Sequence, residues 1–168
     1  MLTVRKLIAS EISFLQNFPP EDWKLDLPKF ISFHFRFKYF YPIVAEIDKK
    51  IVGFGNGLTN GKTGWIGNIL VKPEYRRQGI GHMITAHLVE YFKTKGCRSQ
   101  LLIASEMGKN IYSRLGFRIV GNYNVYKSSE ALAGYQYNER IRAVGKADFS
   151  QIKIIDKKIT GEERSGFI

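Results

Sequence analysis

Only one cysteine, Cys97, stands in this chain of 168 residues, so neither an internal disulfide nor a cysteine metal cluster can form. Nothing approaches the ~20 apolar residues of a membrane span. Met1 to Lys6 leads into no long apolar stretch. A soluble, cytoplasmic protein without a membrane partner is the expectation. Acidic residues are scarce, 15 against 26 lysines and arginines, for a net charge of +11. Yet no run of five or more basic residues occurs, and the nearest thing to a cluster is Lys72, Arg76 and Arg77. That scatter speaks against sequence-specific nucleic-acid binding and for a basic surface around a polyanionic ligand. His34 and His87 have no partners at metal-ligand spacing, so no metal site is expected. No Gly-Lys-Ser/Thr follows a glycine loop, which excludes a Walker phosphate site. Internal repeats and low-complexity segments are absent as well.

What is present belongs to a globular domain: 44% hydrophobic and 14% aromatic residues. The length suits one domain with room for part of a second. Leu2 to Leu7 reads as a first strand. Ser10 is placed to cap a short helix carrying Ile12, Leu15 and Phe18, stopped by Pro19-Pro20. Between Leu27 and Tyr41 a helix is favoured by Phe30, Phe33 and Phe37, and a strand by the alternation from Phe33 to Tyr39. Ile43 to Ile47 and Ile51 to Gly55 flank Asp48-Lys49-Lys50 as a hairpin. Asn60-Gly61 marks the next turn, and Trp65 to Val71 the following strand. Ile80 to Lys95 is the clearest helix, with Ile84, Leu88 and Tyr91 on the face of Ile80, closed by Gly96. Leu101 to Ala104 reads as a central strand, Lys109 to Leu115 as a short helix ended by Gly116, and Phe117 to Val120 as another strand. The order β-α-α-β-β-β-α-β-α-β is that of an α/β sheet with antiparallel hairpins first and a β-α-β unit later.

The most informative stretch is Val71-Lys72-Pro73-Glu74-Tyr75-Arg76-Arg77-Gln78-Gly79-Ile80-Gly81. A strand ends, a basic turn with two glycines follows, and a helix begins at once. Such a junction offers unpaired N–H groups and the positive end of a helix dipole, which suits a phosphate. Gly79 and Gly81 remove Cβ atoms where a ligand would meet the backbone. A Rossmann fingerprint needs a third glycine three residues after Gly81, and that position is Ile84.

This stretch resembles the acetyl-CoA signature of the GNAT family of N-acyltransferases, Gln/Arg-x-x-Gly-x-Gly/Ala. About thirty residues on, Tyr112-Ser113-Arg114-Leu115-Gly116-Phe117 matches the family's second hallmark, Tyr-x-x-x-Gly-Phe. The resemblance covers Leu2 to Tyr126. It implies an α/β (α+β) fold: a mixed, mostly antiparallel central sheet, its fourth and fifth strands splayed, with flanking helices. It also implies acetyl transfer from acetyl-CoA to a small-molecule or peptide amine by direct attack, without a metal. Arg76, Arg77, Gln78, Gly79, Ile80, Gly81 and His82 would hold the pyrophosphate, and the strand edge at Leu70 and Val71 the pantetheine arm. Tyr112 would be the general acid toward the departing thiolate. A phenol's ordinary pKa of ~10 keeps it protonated at neutral pH.

Departures from the family pattern are equally visible. The strand Trp65 to Val71 has no carboxylate to serve as base; Asn68 can only orient a water. Glu46 and Glu106 are the remaining candidates, each readable as a surface residue, and a water chain or an amine arriving neutral is the better expectation. The family often has Asn seven residues before the tyrosine, where this chain has Ser105. Its pantetheine-binding role falls to Ser105 by position or to Asn110 by chemistry. Cys97 reads as a small buried residue, and Trp23 and Trp65 as core or site-wall aromatics.

Polar, small residues around Ser128 to Tyr137 mark a boundary between a domain over residues 1–137 and an extension over 138–168. Within the extension, Ile141 to Val144 and Phe149 to Lys158 read as a strand and a helix. Two readings stay open: they close the single domain, or they begin a second, truncated unit of a tandem acetyltransferase. Homodimer formation through sheet edges or C-terminal strands stays open too.

Overall fold

The computed structural model describes residues 1–124, 126, 140–162 and 164. Five strands form one sheet in the order of the chain: β1 (Leu2–Lys6), β2 (Phe40–Ile47), β3 (Lys50–Asn60), β4 (Thr63–Val71) and β5 (Ser99–Leu102). The first four pair antiparallel, and β5 pairs parallel to β4. This is the mixed, mostly antiparallel sheet that the resemblance implies. Four helices accompany it among the described residues: α1 (Leu27–His34), α2 (Ile80–Thr94), α3 (Lys109–Arg114) and α4 (Phe149–Thr160).

The hairpin between β2 and β3 turns through Asp48 and Lys49, both with positive φ (47° and 66°). That primed geometry matches the twist of the flanking strands, and here it is reached without glycine. The β3–β4 turn uses Gly61 at φ 55°. Asp26 caps α1 by accepting from the Lys29 N–H (3.0 Å), with Pro28 in the first turn. The helix ends at His34, so the alternation from Phe33 to Tyr39 yields a turn, not a strand, and β2 begins at Phe40.

Each face of the sheet buries its own cluster. On one face Leu27 and Ile31 of α1, with Leu7 and Leu15, pack on Phe40, Val44, Phe54 and Leu70. On the other face Ile80, Ile84, Leu88 and Phe92 of α2 pack on Ile43, Ala45 and Ile66. The second contact depends on missing side chains. A Cβ on Gly55 would lie 2.5 Å from Ile84 Cγ2, and one on Gly64 would lie 2.5 Å from Phe92 Cγ. Gly53 and Gly57 meet Ile84 and Phe92 in the same way, both at 2.8 Å. Glycine lets α2 sit directly on the β3–β4 backbone.

Several expectations need correction. The first helical stretch is a 3-10 turn over Ala9–Leu15 whose N-cap is Ile8, not Ser10; Glu11 reaches back to the Ile8 N–H at 3.2 Å. The strand expected over Leu101 to Ala104 forms two residues earlier, because its pairing with β4 starts at Thr63 and Ser99. It lies at the edge of the sheet formed by the described residues, not at its centre. Phe117 to Val120 and Ile141 to Val144 are irregular; no strand among the described residues pairs with them, and Val120 is 91% exposed. A run of β-branched residues becomes a strand only where a neighbouring edge accepts its hydrogen bonds. Trp23 is exposed and outside the core. The polar boundary around Ser128 to Tyr137 lies outside the described residues.

Candidate active site

Pairing between β4 and β5 runs from Thr63–Ser99 to Ile66–Leu102 and then stops. Beyond Ile66 the two strands part, as the resemblance implies. β4 continues to Val71, paired on its other side with Gly53 and Phe54 of β3. Its edge toward β5 at Leu70 and Val71 has no strand partner among the described residues; the Val71 carbonyl there accepts from Arg76 Nε, a side chain that an incoming extended chain would displace. The pairing with β3 is itself interrupted between Phe54 and Asn56, where Asn68 adopts φ 51°. This bulge turns the Asn68 side chain onto Asn56, and Asn68 Nδ2 donates to Asn56 Oδ1 at 2.8 Å. Asn56 is 1% exposed, a polar side chain buried in mid-sheet. Sequence reasoning missed it. The one signal was an asparagine between glycines in an otherwise apolar strand.

Past Val71 the chain makes a 3-10 turn over Pro73–Tyr75 and enters α2. Two left-handed residues shape this loop, Arg77 (φ 60°) and Gly79 (φ 79°). The backbone N–H groups from Arg77 to His82 donate to no other group among the described residues. They lie at the positive end of α2, where the loop is exposed. Gly79 has open space where its Cβ would stand. Gly81 differs: the corresponding space is taken by Ile111 Cδ1 of α3 at 3.2 Å. The first glycine serves the loop conformation; the second seats α3 on α2. Arg76 folds back, its Nε donating to the Val71 carbonyl at 3.0 Å, and Gln78 lies near the Glu74 carbonyl (3.4 Å). His82 is exposed in the first turn of α2.

Seating Ile111 on Gly81 places its neighbour Tyr112. That ring is half-buried, edge-on to Phe117 with centroids 6.2 Å apart. It lies across Gly108, where a Cβ would come within 2.7 Å of the ring and 3.2 Å of its hydroxyl. Gly108 has an ordinary φ of −83°, so room and not conformational freedom requires glycine here. Burial pushes the Tyr112 phenol above its usual pKa and keeps it protonated. Ser105 lies before α3, its backbone carbonyl accepting from Gly108 and Lys109 and its hydroxyl near the Gly108 N–H (3.3 Å). Asn110 is exposed on α3.

The remaining candidates stand apart. Glu46 is bound by Arg5, which also holds Glu11 at 2.7 Å, and Glu106 is 95% exposed. His87 contacts the Tyr41 hydroxyl (3.3 Å), and burial lowers its pKa. Cys97 is half-buried, which raises its thiol pKa. Among the described residues no cluster of three His, Cys, Asp or Glu side chains could hold a metal. No helix among them is long and apolar enough to cross a membrane.

These elements define a class: a splayed sheet with an amide-lined loop at one helix and a tyrosine on the next. The family model for the acetyltransferase (GNAT) family matches residues 8–117. The chain belongs to this family of acetyltransferases. It is 28% identical over 124 residues to an uncharacterised N-acetyltransferase of Methanocaldococcus jannaschii, covering 70% of this chain and 78% of that protein. Over 55 residues it is 38% identical to glucosamine 6-phosphate N-acetyltransferase of Trypanosoma brucei brucei, 33% of this chain and 37% of that one. Among solved structures, an acetyltransferase of Trypanosoma brucei superposes with a TM-score of 0.63 at 24% identity, covering 76% of this chain and all (100%) of that one. A predicted acetyltransferase of Clostridium acetobutylicum, solved with acetyl-CoA, superposes at 0.62 with 20% identity, covering 76% of this chain and 96% of that one.

Proposed function

We propose that this chain transfers the acetyl group of acetyl-CoA to a primary amine by direct attack within a ternary complex. One observation carries the reading: six unpartnered amides, an open β4 edge and the half-buried Tyr112 are linked through the same few contacts, with Ile111 on Gly81 joining loop to acid. The amides from Arg77 to His82, with Arg76, Arg77 and Gln78 around them, suit a pyrophosphate. Leu70 and Val71 suit the pantetheine arm, helped by Ser105 or Asn110. Relatives solved with acetyl-CoA or, for an aminoglycoside N-acetyltransferase, with CoA support the choice of donor.

Acetyl-CoA supplies an activated thioester. The chain's residues orient it and deliver the proton that the departing sulfur needs. As the amine nitrogen bonds to the acetyl carbon and the carbon–sulfur bond breaks, Tyr112 donates its hydroxyl proton to the sulfur. The nitrogen gives up one proton to water, and the Tyr112 phenolate takes one back from solvent before the next turnover. Tyr112→Phe is expected to lower kcat about 10²-fold while leaving CoA affinity unchanged. An unchanged kcat removes Tyr112 from the role.

A second reading, a CoA-binding domain without turnover, is favoured by one observation: Glu46 is tied to Arg5 and Glu106 stands in solvent, so neither is placed as a base. Free-thiol release from acetyl-CoA across a panel of amines separates the two. Turnover with any amine establishes catalysis, and tight binding without thiol release from the whole panel favours the sensor.

A further inference from the structure

Positive charge gathers at a second place besides the glycine loop. A cavity of about 450 Å³ opens beside the end of β1, the start of β2 and the last turn of α2. Its wall carries Lys6, Arg36, Lys38 and Lys95 and no carboxylate. None of these four cations is in an ion pair among the described residues. Aromatic rings hold two of them in place. The Arg36 guanidinium lies 4.8 Å from the Phe37 ring centre, and Lys95 Nζ lies 5.4 Å from that of Tyr91, which stacks on Tyr41 at 3.6 Å. Such cation–ring contacts reduce the side-chain freedom an anion must otherwise freeze out. α2 has 15 residues, so its C-terminal turn lies roughly 22 Å from the loop at its N-terminus. One ligand phosphate group cannot serve both places.

We propose that this cavity is a second anion site, taking a small phosphate compound of several negative charges, a nucleoside polyphosphate or pyrophosphate. Four cations match that charge better than a mono- or dicarboxylate would, and a guanidinium fork pairs with phosphate in two-point fashion. The C-terminal end of α2 opposes the anion with only about half a charge. The volume of this open cavity falls in the range of small-molecule sites, roughly 300–1,000 Å³, and the four cations line it together; a nucleic-acid surface would spread them as a stripe. The proposal is independent of the acetyltransferase reading.

Calorimetric titration of the full chain with inorganic pyrophosphate, ATP, citrate and a single-stranded oligonucleotide tests it. Expected is saturable binding of pyrophosphate or ATP, with citrate weaker by about tenfold or more. Lys38→Gln/Lys95→Gln should weaken that binding at least tenfold, since each charge-assisted contact is worth roughly that factor. Lys38→Arg/Lys95→Arg should retain it, and the binding step that the glutamine pair loses should remain in Arg76→Ala/Arg77→Ala, which disturbs only the loop at the other end of α2. Circular dichroism melting confirms that each variant folds. The proposal falls if neither phosphate compound binds, if citrate binds equally well, if only the oligonucleotide binds, if the glutamine pair binds like the parent, or if the loss follows Arg76 and Arg77.

Discussion

Asn56 and Asn68 make the strongest residue-scale constraint in the sheet. Asn68 holds a left-handed backbone, which asparagine tolerates better than most residues, and its amide is anchored on a carboxamide that water hardly reaches. Asn56→Ala strands the Asn68 donor beside a cavity and is expected to cost about 1–3 kcal/mol in a urea titration. Asn68→Gly keeps the backbone angle and should cost less than Asn68→Ala, which loses both angle and bond. Equal costs for the two Asn68 variants would show that the bulge does not depend on its left-handed residue. Tyr112 sets a second constraint, on pH. Its pKa lies above ~10, so the phenol is protonated from neutrality up to that value and loses its proton only above it. The alkaline limb of kcat assigned to Tyr112 should therefore fall above pH ~10 and vanish in Tyr112→Phe. A limb near pH 8 that survives the substitution belongs to another group.

At the scale of elements, the contact between α2 and the sheet decides how the site is built. The amide-lined loop is the N-terminus of α2, and α2 sits where four glycines of β3 and β4 allow. Gly64→Ala drives a methyl group into the Phe92 ring, whose Cγ, Cδ1 and Cδ2 all lie within 2.8 Å of it. The expected cost is about 1–3 kcal/mol, read as a lower melting temperature. Phe92→Leu should relieve part of it, so the double variant is more stable than the sum of the singles allows. The helix itself was legible because Ile80, Ile84 and Leu88 repeat at helical spacing, and so was the loop, because glycine spacing is a local property. The glycine strip was not. Gly53, Gly55, Gly57 and Gly64 look like turn signals until the helix packed on them is known. Asn56 was hidden for the same reason: burial of a polar residue is a property of the neighbouring strand. Gly108 gives no signal of its own in the sequence, and only the Tyr112 ring lying over it explains the residue. The register of β5 depends on where β4 begins, which apolarity alone does not mark.

For the whole molecule, the described parts differ sharply in how they are held. The sheet and the helices α1 and α2 share two buried clusters, whereas α4 buries none of its residues and leaves Ile154, Ile155 and Ile159 exposed. Two ion pairs there among the described residues, Arg142 with Asp148 and Arg164 with Asp156, are local. A link to the sheet runs from Asn60 Nδ2 to Glu162 Oε2 at 2.9 Å, at the β3–β4 turn. This part-buried hydrogen bond to a carboxylate is worth about 1.5–3 kcal/mol, which the cost of ordering the extension largely offsets, and a helix of 12 residues contributes little without burial. We propose accordingly that residues 138–168 form an extension outside the cooperative unit. A chain ended after residue 137 should melt within about 3 °C of the full chain and unfold with a nearly unchanged urea m-value. If the extension instead completes the main core, truncation exposes buried apolar surface. Melting then falls by 10 °C or more at roughly 2–4 °C per kcal/mol, and the extension would have to be counted as part of the acetyltransferase domain.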